Sequence, residues 1–258
     1  MSMKKRGTRL GQHFLTGQWA AKKLADAIAV RPNETILEIG PGKGALTKEL
    51  LRTGGRVVAV EKDKRLVEEL EQTFKNEIDR GRLVLAAADI RDLDGKESDL
   101  GAYVVAANIP YYITGDIIRY FLTANCQPRA MALLVQKEVA DRIVARNGKE
   151  SVLSLSVKAY GTPKIVARVS KGNFNPQPSV DSAILLITDI SRDFFNDASE
   201  EEFFAVVKAG FSSKRKILRG NLKKRFGDAP KWLGNTDRAE ELDLQTWKRL
   251  ARELALAH

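Results

Sequence analysis

Thr35-Ile36-Leu37-Glu38-Ile39-Gly40-Pro41-Gly42-Lys43-Gly44 opens the ordered reading of this chain. The apolar run over 35–39 predicts a buried strand, and the glycines after it predict a tight loop. A helix to about Arg52 follows, with Leu46, Leu50 and Leu51 inward. In a strand–loop–helix context, glycines let the backbone come close to a ligand, and the helix start offers unpaired N–H groups. The spacing is not Gly-x-Gly-x-x-Gly, and no Gly-Lys-Ser/Thr follows. The dinucleotide fingerprint and the nucleotide-triphosphate loop are therefore both excluded.

The same unit repeats downstream. Residues 56–60 predict a second strand ending at Glu61, and Leu83–Ala88 a third ending at Asp89. Tyr103–Ala107 predicts a fourth, which empties into Asn108-Ile109-Pro110-Tyr111-Tyr112. Strands alternating with helices predict an open, doubly wound parallel sheet, whose ligands bind beyond the carboxyl ends of the strands. One sheet edge thus collects Gly40, Gly42, Glu61, Asp89 and Asn108. An acid ending the second strand reaches ribose hydroxyls. Asp89 is placed to accept from the amino group of a cofactor adenine. The Asn108 amide can accept from an exocyclic amine, and a tyrosine ring can stack on a flat base. Pro110 fixes its turn and leaves its carbonyl to accept a further bond. The stretch predicts a pocket for an aromatic amine, adenine above others.

Further strands are predicted over 130–135, 164–169 and 180–188, making seven. The helix opening at Thr114 or Gly115 turns Ile117, Ile118, Phe121 and Leu122 inward. A helix over 17–29 is given the apolar face Trp19, Leu24, Ala27 and Ile28. Phe174 sits in a proline-stiffened loop with Pro176 and Pro178, where it either clamps a ring or plugs the core. After about Ile190 the periodicity is helical throughout. The expected organisation is a flexible basic arm over 1–12, an α/β catalytic domain over 13–189 and a small all-helical domain over 190–258. Within the last, Lys208, Lys214, Arg215, Lys216, Arg219, Lys223, Lys224 and Arg225 fall in a run without an acid. A one-signed run that dense predicts a phosphate backbone as partner.

The formal net charge of +10 also favours anionic partners. A single cysteine, Cys126, excludes an internal disulfide and any multi-cysteine metal site. Two histidines, His13 and His258, argue against a histidine-rich metal centre. No apolar run approaches the length of a membrane span. A cytoplasmic enzyme or nucleic-acid-binding protein, monomeric and without metal, is expected.

These motifs resemble those of the bacterial ribosomal RNA small-subunit adenine dimethyltransferases, the KsgA family, over nearly the whole chain. Gly11-Gln12-His13-Phe14-Leu15 is similar to the family's amino-terminal motif. Glu38 to Gly44, with Ala45-Leu46-Thr47, resembles its S-adenosylmethionine loop, and Asn108 to Tyr111 its Asn-Leu/Ile-Pro-Tyr element. Gln136 to Ala140, Phe174 to Ser182 and Phe211 to Leu222 are also family-like. The resemblance implies a Rossmann-like seven-stranded methyltransferase fold with a small helical domain. It implies S-adenosylmethionine as cofactor, bound by His13, Leu15, Gly40, Gly42, Glu61, Asp89 and Asn108. It implies Asn108, Pro110, Tyr111 and Phe174 as catalytic residues, the two rings stacking on opposite faces of the target base. The implied reaction is N6,N6-dimethylation of two adjacent adenosines near the 3′ end of 16S rRNA, on an immature small subunit. Large-subunit adenine methyltransferases of the macrolide-resistance type share Asn-Ile-Pro-Tyr. The carboxyl-terminal basic run favours the small-subunit enzymes. A mainly non-catalytic assembly factor is the third reading, opposed by the retained glycine loop, Glu61, Asp89 and Asn108. Tyr112 receives no role.

Overall fold

A computed structural model describes residues 13–93, 99–197 and 199–255. The expected basic arm over 1–12 lies outside the described residues. Contacts divide the chain into two compact units. One runs to Ala140 and resumes over Lys164–Thr188; the other joins Asp141–Pro163 to the segment from Asp189 onward. The segment 141–163, read from sequence as catalytic domain, thus clusters with the helical unit.

In chain order the elements are β1 (Phe14–Leu15), α1 (Gln18–Ala27), β2 (Thr35–Ile39), α2 (Ala45–Arg52), β3 (Arg56–Glu61), α3 (Lys64–Thr73), α4 (Lys75–Asp79) and β4 (Leu83–Ala87). Then come β5 (Tyr103–Asn108), α5 (Thr114–Thr123), β6 (Met131–Gln136), α6 (Lys137–Ile143), α7 (Val152–Lys158), β7 (Thr162–Val169), β8 (Phe174–Asn175) and β9 (Ser182–Thr188). Three helices close the chain: α8 (Glu200–Gly210), α9 (Leu218–Phe226) and α10 (Leu244–Ala255).

Seven strands form one sheet in the order β4-β3-β2-β5-β6-β9-β7. The order reverses between β2 and β5, which is the switch point at which such sheets bind ligands. Helices cover both faces, so the central strands are buried and read as continuous apolar runs. Val104, Val105, Ala106 and Ala107 are completely buried, as are Leu133, Leu134 and Ile184. Strand β9 is antiparallel to β6.

The register aligns the functional strand ends. Ile39 pairs with Val60 on one side and with Ala107 on the other. The next residues, Gly40, Glu61 and Asn108, therefore stand side by side at the switch point. The expected inner face of α5 is observed, with Ile117, Ile118, Phe121 and Leu122 buried. Of the face expected for α1, Leu24 and Ile28 are buried, and Trp19 is corrected. Trp19 is 55% exposed, and the buried residues are Ala20, Ala21, Leu24 and Ala25. Small alanines let the helix lie close on its neighbours, and the tryptophan falls on the outward side.

A two-residue ribbon was not foreseen. Strand β1 pairs antiparallel with β8, Leu15 opposite Phe174 and Phe14 opposite Asn175. The pairing ties the chain's start to the loop ahead of β9. In the helical unit, Trp247 is buried and stacks on Phe211 with ring centroids 5.5 Å apart. A Cβ at Gly210 would lie 2.3 Å from the Trp247 ring, so α8 and α10 approach only because that position is glycine.

Candidate active site

A cavity of about 500 Å3 opens at the carboxyl ends of β2, β3, β4 and β5. His13, Leu15, Gly40, Gly42, Glu61, Asp89, Asn108, Pro110 and Tyr111 all line it. Residues separated by almost a hundred positions meet here because parallel pairing aligns their strand ends.

The glycine loop forms one wall. Gly40 adopts φ +64°, and a Cβ built there would meet nothing within 4 Å. The space it leaves lies open for a ligand to approach the backbone. Gly44, the N-cap of α2, has φ +81° and would bring a Cβ within 2.5 Å of Phe74. Its glycine serves conformation and packing together.

Glu61 is buried, and each of its oxygens holds a backbone group. Oε2 accepts from the N–H of Gly42 at 3.2 Å, and Oε1 accepts from the N–H of Asp63 at 2.9 Å. The carboxylate thereby braces the glycine loop against the start of α3. It keeps lone pairs for further donors such as ribose hydroxyls. Asp89 is only 16% exposed and is ion-paired with Lys62 and Arg91 at 2.9 and 2.6 Å. These cations hold its carboxyl well below the usual carboxylate range, Arg91 having the larger effect.

The side-chain nitrogen Nδ2 of Asn108 donates to the backbone carbonyl of His13 at 3.1 Å. A carbonyl cannot donate, so this contact decides which way the amide faces and leaves Oδ1 as its acceptor. The Pro110 carbonyl accepts from the N–H of Ile113 at 3.1 Å, so one of its two lone pairs is already engaged. It is available for one further donor. The phenol of Tyr111 lies 2.6 Å from the Ser182 hydroxyl. Burial pushes the Tyr111 phenol up, and the bond to Ser182 opposes this. His13 stacks beside Tyr111, ring centroids 5.8 Å apart, and its Nδ1 lies 2.8 Å from the Pro176 carbonyl.

Phe174 departs from its expected role. It is 3% exposed, belongs to the hydrophobic core and does not line the cavity. Pairing of β1 with β8 sets it opposite Leu15. The plug reading of the sequence describes it. Sequence reasoning missed Lys62, Arg91 and Ser182. Charged residues after a strand carry no distinguishing pattern, whereas Ser182 lay within the family-like stretch from Phe174.

Seven of the eight basic residues singled out after 208 are exposed. Arg219 is the other. Its Nε donates to the Leu233 carbonyl at 3.0 Å, and its Nη2 donates to Pro230 and Leu233 at 2.9 and 2.6 Å. Its guanidinium is engaged by backbone carbonyls of the loop before α10, unlike the seven exposed cations.

The family model for "Ribosomal RNA adenine dimethylase" matches residues 3–255. The chain belongs to the ribosomal RNA adenine dimethylase family. A ribosomal RNA small subunit methyltransferase A from Dehalococcoides mccartyi is 41% identical, covering 95% of this chain and 87% of the relative. The protein of that name from Thermosynechococcus vestitus is 36% identical, covering 95% and 96%. Among solved structures, a dimethyladenosine transferase from Plasmodium falciparum gives a TM-score of 0.79 at 23% identity, covering 95% of this chain and 98% of that one. The 23S rRNA methyltransferase ErmE gives 0.77 at 23%, covering 94% and 99%. At that identity the two structures speak for the fold: a Rossmann-like methyltransferase core with a helical carboxyl-terminal region. Family membership makes the protein an S-adenosylmethionine-dependent rRNA adenine methyltransferase, and so an rRNA-binding protein of ribosome biogenesis.

Proposed function

We propose that this protein transfers two methyl groups to N6 of each of two adjacent adenosines in the 3′-terminal helix loop of small-subunit rRNA, acting on an immature subunit as a cytoplasmic monomer. The observation that carries the reading is the Asn108 amide, whose nitrogen is engaged by the His13 carbonyl, leaving its oxygen as an acceptor in a side chain that lines the cavity with the glycine loop. The names borne by the relatives support the small subunit as target.

The residues present fit S-adenosylmethionine. The empty space at Gly40 admits a ligand against the backbone, Glu61 retains acceptor sites for ribose hydroxyls, and Asp89 is an acid on the cavity wall that would meet the adenine amino group. A volume of about 500 Å3 is within the usual range for such ligands. His13, Leu15, Gly40, Gly42, Glu61 and Asp89 would hold it. When bound, the cofactor supplies an electrophilic methyl carbon on sulfur.

The protein's task is to position N6. That nitrogen is a weak nucleophile because its lone pair is conjugated with the ring. Bonds from its hydrogens to Asn108 Oδ1 and the Pro110 carbonyl favour a more tetrahedral nitrogen. Tyr111, held at its hydroxyl by Ser182 and flanked by His13, offers its ring to the base. The adenosine must leave its stack to enter, at a cost of a few kcal/mol that is smaller in a loop. The second transfer needs N6 to keep one hydrogen for Asn108 or Pro110 while carrying a methyl. Methyl transfer from labelled cofactor to immature small subunits, with mapping of the modified residues, tests the reading. Small subunits that take up no label at two adjacent adenosines near the 3′ end, with label entering large-subunit RNA offered in a parallel reaction, would overturn it.

A further inference from the structure

Asp89 has no acceptor site to spare. Its Oδ1 accepts from the backbone N–H and the Nε of Arg91 at 3.1 and 2.9 Å. Its Oδ2 accepts from Nη2 of Arg91 at 2.6 Å and from Nζ of Lys62 at 2.9 Å. A carboxylate offers about four lone-pair sites, and these donors fill them. Yet Asp89 is the acid that reads the cofactor's adenine amino group in the function proposed above, on which this inference rests. A fifth donor must displace one of those present.

Geometry ranks them. The Arg91 backbone N–H is fixed by the chain. The Arg91 guanidinium grips both oxygens as a fork, the strongest form of this contact. Lys62 makes one bond from a flexible stem and is 72% exposed, so its bond is the least costly to give up. Among nearby acids, Glu61 already accepts from the N–H groups of Gly42 and Asp63, with its remaining lone pairs read as ribose acceptors. Asp63 pairs with Arg65 at 3.1 Å, and Asp116 also lines the cavity. Once displaced, the Lys62 ammonium stands on the cavity wall without its Asp89 bond, and an RNA substrate carries backbone phosphates that such a cation can take in exchange.

We propose that Lys62 is a switched phosphate-binding residue. It sits on Asp89 while the adenine position is empty, and moves to a backbone phosphate of the RNA when adenine takes its place. It positions RNA and touches no reacting atom. Because coupling between two ligands is reciprocal, cofactor tightens RNA binding and RNA tightens cofactor binding by the same factor.

The test uses the full chain and a hairpin RNA with two adjacent adenosines in its loop. Its affinity is measured at one salt concentration, with and without saturating S-adenosylhomocysteine, which cannot transfer a methyl. Wild type is expected to bind RNA about fivefold tighter or more with that ligand present. Lys62→Met is expected to bring the ratio close to one, while binding S-adenosylhomocysteine at least as tightly as wild type. A wild type indifferent to the ligand, or a Lys62→Met variant that keeps the wild-type ratio, would overturn the switch. Asp89→Ala separates the two levels. Unchanged S-adenosylhomocysteine affinity in that variant removes the adenine reading and the switch together. Weakened affinity, combined with a preserved ratio in Lys62→Met, removes the switch alone.

Discussion

Asn108 Nδ2 and the backbone carbonyl of His13 are 3.1 Å apart, joining the end of β5 to the residue that leads into β1. The contact makes the amide directional, with its donor spent on the chain and its acceptor left for the substrate. Asn108→Ala should bind S-adenosylmethionine nearly as wild type and lose about 100-fold or more in turnover, the scale seen when one preorganised polar group is removed from a transition state. Asn108→Asp is more telling. It keeps an acceptor oxygen but sets a second one against the His13 carbonyl, so it should also lose turnover. Steady-state kinetics on unmethylated small subunits, with calorimetry for the cofactor, measure both. An aspartate variant of wild-type rate would show that the His13 contact does not orient the group.

Ser182 begins β9 and holds the Tyr111 hydroxyl at 2.6 Å. It is completely buried, so Ser182→Ala removes the bond without admitting water. A neutral hydrogen bond is worth about 1 kcal/mol, which limits the expected loss in kcat/KM to roughly fivefold. The loss should fall on the RNA substrate and spare cofactor affinity. Tyr111→Phe should reproduce it, and the double variant should be no worse than either single one. Additive losses would show that the two hydroxyls act separately.

Glu38 lies in β2 with both carboxyl oxygens buried and without a hydrogen-bond partner. Burial pushes its pKa up to about 8, and the charge of Glu61 adds to this; Thr47 opposes the shift without cancelling it. The folded form therefore holds a proton that the unfolded chain releases near the ordinary glutamate value of 4.5. Stability from this group is complete below about 4.5 and is lost as pH rises through about 8. Glu38→Gln removes the titration. The melting temperature of wild type should fall relative to that of the variant between pH 5 and pH 9. Parallel melting curves across that window would show that Glu38 is ionised in the folded protein.

Much of this was legible in the sequence because parallel sheets leave a plain signature. Each strand is an apolar run, and the residue just after it carries the chemistry, so Gly40, Glu61, Asp89 and Asn108 could be read without coordinates. What escaped depended on pairing between distant segments. Two residues, Phe14 and Leu15, give no periodicity, so the ribbon with β8 was invisible, and with it the pairing that sets Phe174 opposite Leu15. The orientation of Asn108 rests on a backbone carbonyl, which no residue type announces. Trp19 misled because apolar spacing does not record how closely a helix sits on its sheet.

Arg219 and Lys224 share α9 but differ in what their charges do. The Arg219 guanidinium donates to carbonyls of Ala229, Pro230 and Leu233. Lys224 is exposed in the last turn, and Lys216 is exposed before the helix begins. Arg219→Leu should destabilise the protein by about 2–3 kcal/mol, because charge-assisted bonds to the backbone are lost and partly buried carbonyls are left without that donor. Its melting temperature should drop by roughly 4–10 °C, while the salt dependence of RNA binding is kept by the folded fraction. Lys216→Gln with Lys224→Gln should do the reverse. The melting temperature should hold, RNA affinity should fall, and the slope of log affinity against log salt should decrease by about one for each cation removed. If the lysine pair left the slope unchanged, those charges would be a solvated face. If Arg219→Leu lowered the slope at full stability, its guanidinium would belong with the phosphate contacts after all.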